Sequence, residues 1–153
     1  MSIAAEKTAE AFYRQLAEKF STRPEIAEFW QNYAQDEVGH AQALRRLREA
    51  LSPETLAQPA DAELLQRTQW ALERGRAQAE EDITDLEAAY RLASELESGE
   101  TNALFEFLIT HFAEDKKAIA FLRAQLKDHV SRLMMEFPEK FGEAHIRQSI
   151  KAA

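Results

Sequence analysis

The stretch DEVGHA (36–41) sets a carboxylate and an imidazole three residues apart, Glu37 and His40, inside an otherwise apolar rhythm. At that spacing on a helix both side chains point the same way, so they can grip one cation or two neighbouring ones. Similar groups recur along the chain: Glu6 with Glu10 one turn on, Glu97 with Glu100, and His129. Mixed carboxylate and imidazole ligands suit iron, manganese or zinc better than calcium or magnesium. Helical-bundle sites of this kind take a Glu from each of two helices and a Glu-x-x-His from each of the other two. Glu6, Glu37, Glu97 and Glu100, with His40 and His129, supply the same four carboxylates and two imidazoles, enough to neutralise two divalent ions.

Such residues work only if rods of the right length carry them. The composition is helical, rich in Ala, Leu, Glu, Gln and Arg, with the few Gly and Pro mostly between periodic segments. One helix is expected over about 2–20, with the stripe Ile3, Glu6, Glu10, Tyr13, Ala17 and Phe20 and a start at Ser2. Pro24 suits the first turn of a second helix, 24–51, whose stripe is Ile26, Trp30, Tyr33, Glu37, His40, Leu44, Leu47 and Leu51. A connector with Pro53 and Pro59 leads to a flanking amphipathic helix at about 62–81. Thr84-Asp-Leu-Glu87 has the form of a capping box and opens a third long helix, 84–111, with Tyr90, Ala93, Glu97, Glu100, Leu104 and Phe107 on one face. The fourth, 115–135, carries Ile119, Leu122, Leu126, His129 and Leu133, and the tail 136–153 is expected to add a short helix or a docking arm.

Neither strand alternation nor a Gly-rich phosphate loop occurs. The fold class is therefore all-α: a four-helix bundle of two antiparallel hairpins, joined by a long connection that contains the extra helix. Its 153 residues suit one domain with a substantial core. Register strengthens the case for a site. Glu6 lies about sixteen residues before the first turn and Glu37 about fifteen after it, so both stand roughly 23 Å from that turn. Glu97 and His129 are likewise about sixteen residues from the turn near Ala113. Each hairpin brings its polar core residues to one height.

Other classes are excluded by composition. A net charge of −8 argues against nucleic acid, which is bound through basic patches. No apolar run approaches the ~20 residues that a membrane span needs. The opening MSIAAEKTAE is acidic and does not read as a secretory signal, which points to the cytoplasm. Without cysteine, these residues make no disulfide, thiolate site or iron–sulfur centre.

Four stretches carry a family resemblance: EKTAEAFYRQLA (6–17), DEVGHAQAL (36–44), ELESGETNALFEFL (95–108) and LKDHVSRL (126–133). In this order and register the chain resembles the rubrerythrin branch of the ferritin-like superfamily, over roughly residues 2–51 and 84–135. The resemblance implies a ferritin-like bundle with a di-iron centre on Glu6, Glu37, His40, Glu97, Glu100 and His129, and a catalytic tyrosine, Tyr13, near the metals. It also implies oxidase or peroxide-reducing activity, an external electron donor and pairing into a homodimer. The sequence departs from the pattern at Leu126, where a second Glu-x-x-His would place its glutamate. Glu100 could stand in from the opposite helix. The site is then asymmetric, holds one ion, or is vestigial, and a metal-free or single-metal bundle with a structural, storage or partner-binding role is the rival expectation. Without metal, some of these buried carboxylates should be protonated, with raised pKa values, or the bundle must admit water.

Overall fold

The computed structural model describes residues 2–57, 83–97, 100–112 and 116–141, with single positions or short runs at 59, 62–63, 65–67, 69–70, 73 and 77; of 100–104 it describes the backbone alone. Helix α1 (Ser2–Lys19) is followed by α2 (Pro24–Ala50) and a single turn, α3 (Pro53–Leu56). Then come α4 (Leu86–Glu97), α5 (Glu100–Phe112) and α6 (Lys116–Ser131). A π-helical turn (Arg132–Glu136) and a short α7 (Phe137–Phe141) end the described chain. No strand occurs among the described residues, and no described helix is long and apolar enough to cross a membrane.

The first hairpin is antiparallel, because Glu6 meets His40 while Tyr13 meets Trp30 and Tyr33. Pro24 opens α2 where a missing N–H costs nothing. In the second hairpin, α4 and then α5 run against the π-helical turn and α6: Tyr90 reaches Met134, Glu97 reaches His129, and Glu106 reaches Arg123. The helix start at 84–87 differs from the expected capping box. Asp85 accepts from the Ala88 amide at 2.8 Å, and the Thr84 hydroxyl donates to Asp85 instead of capping. Aspartate is the stronger N-cap of the two, so the cap moves one residue on.

Two apolar clusters fill the bundle. One holds Phe12, Tyr13, Leu16, Ile26, Trp30, Tyr33, Leu92, Leu133 and Phe137; the other holds Leu44, Phe105 and Ile109, with Leu122 and Leu126 against it. The polar residues of the stripes lie between them. The π-turn was not legible in the sequence. Its wider winding re-phases the chain so that Leu133 and then Phe137 and Pro138 all turn inward, and the start of the expected tail completes the first cluster. Trp70, in the connection between the hairpins, is 48 % exposed.

One helix-interior position looks wasteful. Gly39 sits in the middle of α2, exposed, and a Cβ built on it meets no atom within 4 Å. Neither packing nor backbone conformation calls for glycine there. Gly39→Ala is expected to stabilise the fold by about 0.5–1 kcal/mol, read as a higher midpoint in urea unfolding.

Candidate metal centre

Five of the six residues singled out as ligands converge. Glu6 on α1, Glu37 and His40 on α2, Glu97 on α4 and His129 on α6 are all buried, none more than 4 % exposed. The sixth, Glu100, opens α5, and its side chain lies outside the described residues. Glu10 faces outward and pairs with Arg14 at 2.8 Å. His111 is exposed and stacks on Phe107. His145 lies outside the described residues.

The five form two triads that share one member. In Glu6, Glu37 and His40, one ligand-type atom from each residue lies within 4.8 Å of the others; the same holds for Glu37, Glu97 and His129. Glu37 uses a different oxygen on each side. Its Oε2 is 3.1 Å from His40 Nδ1, and its Oε1 is 3.3 Å from His129 Nε2. His40 Nδ1 also lies 3.7 Å from Glu6, and His129 Nε2 lies 2.9 Å from Glu97 Oε1. The two imidazole rings stand 5.4 Å apart, centre to centre. A carboxylate spanning two carboxylate–imidazole pairs is a donor set that fits two adjacent borderline cations.

The surroundings fix these groups. The Tyr13 hydroxyl donates to Glu97 Oε1, and Tyr33 donates to the His129 carbonyl at 2.6 Å. His129 Nδ1 lies 3.1 Å from Asp36, which also accepts from Arg132. With Nδ1–H donated to Asp36, Nε2 faces inward, where the loss of its proton would free a lone pair for a cation, the usual way a carboxylate orients a histidine ligand. Asp36 and Arg132 carry no assigned role in the sequence pattern, and Tyr33 reads there only as a core aromatic. The signal for Asp36 was present in DEVGHA itself: it is the residue beside Glu37 on the edge of the stripe, but nothing in the pattern says which histidine it faces.

Some of the buried acids were expected to hold protons, and Glu6 does, whereas Glu37 finds partners in the two histidines. Burial pushes Glu6 up, His40 partly opposes this, and the charge of Glu37 adds to it, leaving Glu6 at about 8. For Glu37 burial acts upward too, but hydrogen bonds to His129 and His40 and their charges hold it well below the carboxylate range. Burial alone would lower His40; Glu37 and Glu6 outweigh it and raise it to about 10. His129 is likewise lowered by burial, and Glu97, Asp36 and Glu37 lift it to about 12. Burial and the nearby Glu97 charge keep the Tyr13 hydroxyl protonated far above its ordinary range. Metal-free, Glu37 thus pairs with two imidazoles that hold their protons tightly, beside a Glu6 that holds its own.

Leu126 points into the second apolar cluster beside Leu44, Phe105 and Ile109. It stands three residues before His129 on α6, the position at which a second Glu-x-x-His would carry its glutamate.

A family model described as Rubrerythrin matches residues 1–118. His129 lies beyond the matched stretch. No curated protein and no solved structure matches the chain.

Proposed function

Since this chain belongs to the rubrerythrin family, we propose that it holds a pair of iron ions and works as an oxidase or peroxide-reducing oxidoreductase. Glu37 would lie between the ions, with Glu6 and His40 to one side and Glu97 and His129 to the other. The observation that carries this reading is the sharing of Glu37 between two buried triads. Glu100 would complete the set on the side that Leu126 leaves apolar. Two reduced irons, when bound, supply two electrons to an O–O bond. The chain's own part is to keep that reaction dry and oriented. Tyr13 holds Glu97 in place and offers a proton beside the site, and Asp36 fixes the ring of His129. The reduced state would be restored by an external electron donor, because no thiolate centre exists among these residues. Manganese or zinc would fit the same donors. We propose further that the chain acts in the cytoplasm as a homodimer, for which the exposed Leu65, Trp70 and Phe121 offer apolar surface.

Reconstitution with Fe(II) under anaerobic conditions tests the reading. Elemental analysis should give about two irons per chain. Metal that binds only the folded state, at a hundred times its Kd, should add about 2.7 kcal/mol to stability per site, visible as a higher Tm lost on chelation. Admission of oxygen should be followed by uptake. Less than a tenth of an equivalent of iron per chain would end the proposal.

A metal-free bundle is the second reading, and one observation favours it: the acids and imidazoles already satisfy each other. It expects no change in Tm on chelation and no oxygen uptake with Fe(II).

A further inference from the structure

The five cluster residues are buried, so an ion must have a way in. A cavity lined by described residues reaches the cluster at His40. It opens between α2 and α6, has a volume of about 200 Å³, and is lined by Asp36, Gly39, His40, Gln125, Asp128 and Arg132 among others. That is room for several waters, enough to pass an ion that keeps part of its hydration. Two larger cavities lined by described residues, one apolar around Leu47 and Phe121 and one around Glu18 and Gln31, touch none of the five.

The cavity's floor is chemically specific. His40 keeps the most exposed side chain of the cluster, 6 %. Its Nδ1 is turned inward to Glu37 and Glu6, so the outer edge of the same ring faces the cavity. The mouth is polar and charged. Arg132 bridges Asp36 and Asp128, leaving two carboxylates to one guanidinium where a cation would arrive.

Gly39 supplies an independent argument. In the middle of a helix it costs stability relative to alanine, and open space around it removes any packing reason. It lies on the rim of this cavity. A longer side chain there would hang over the entrance.

From these observations we infer that the cavity between α2 and α6 is the route by which hydrated divalent cations reach the buried cluster, and that Gly39, having no side chain, leaves its mouth open. The ion enters past the Asp36–Arg132–Asp128 bridge, meets the edge of His40 and sheds water as it passes inward to Glu37. The inference rests on the metal-binding reading above, and goes beyond it in naming the path and the residue that keeps it clear.

Loading kinetics separate the two. Metal-free protein is mixed with Co(II), uptake is followed by absorbance, and the final cobalt content is measured by elemental analysis. Gly39→Leu should reach the wild-type final content but slow uptake roughly tenfold or more, because entry then waits on local opening of the bundle. Gly39→Ala should load near the wild-type rate. So should Gln42→Leu, which places the same side chain at an exposed α2 position that does not line the cavity. Gly39→Leu loading at the wild-type rate to the wild-type content overturns the route and leaves the metal site standing. Wild-type protein that takes up no cobalt overturns the site, and the route with it. If Gly39→Leu holds less metal at equilibrium, Gln125→Trp on the opposite wall gives the same reading: slower uptake supports the route, and unchanged uptake removes it.

Discussion

Glu37→Ala should strip the chain of nearly all its bound iron, from about two ions to less than a tenth of an equivalent. Glu37 is the member common to both triads, so its loss leaves each with only two side chains. It is also the counter-charge for both imidazoles, at 3.1 and 3.3 Å. Removing one partner of a buried ion pair costs about 3–5 kcal/mol, because the charge left behind has neither water nor partner. The metal-free variant should therefore be destabilised by that order, with His40 losing much of its hold on a proton. Glu37→Gln keeps the volume and removes the charge, so it isolates the electrostatic part in a protein with the same packing. Elemental analysis and urea unfolding read the two effects. Two irons retained by either variant would mean that Glu37 does not join the ions.

Acidity should move metal affinity and metal-free stability in opposite directions. Glu6, His40 and His129 all hold protons more tightly folded than unfolded, at about 8, 10 and 12. Their stabilising contribution is complete below the unfolded values, 4.5 for Glu6 and 6.5 for the histidines, and is lost as pH rises through the folded ones. Glu37 and Asp36 are depressed, so their contribution is present above 4.5 and 3.8 and is lost as pH falls. The metal-free protein should be most stable at mildly acid pH and weaken as pH rises. A cation needs the same groups without their protons. Filling the site near neutral pH should release about three protons per chain, and the combined affinity should rise by roughly two to three powers of ten per pH unit between pH 6 and 7. Titration calorimetry in two buffers of different ionisation enthalpy measures the release. Affinity independent of pH, with no proton released, would show that the metal does not bind through these residues.

The long helices were legible because their apolar positions repeat every three or four residues. The heights of Glu6, Glu37, Glu97 and His129 were legible too, because a hairpin of straight rods converts residue count into distance. Leu126 was legible as a departure, since a missing carboxylate is a fact of sequence. The rest depended on elements far apart in the chain. The π-turn after Ser131 comes from packing Leu133 and Phe137 under the first hairpin, and no periodicity within 126–141 announces it.

By itself, then, the sequence determined the inward face of each long helix, Glu10 aside, and the depth of its polar residues, because both follow from helical periodicity and the positions of the turns. Only the tertiary structure decided who touches whom: that Glu37 serves both histidines, that His129 turns Nδ1 to Asp36, and that Gly39 rims a cavity leading to His40. Those facts depend on the rotation of each helix about its own axis and on rotamers fixed by packing. Neither is encoded in spacing along one strand of chain, since both arise only when four helices exclude water from the same space.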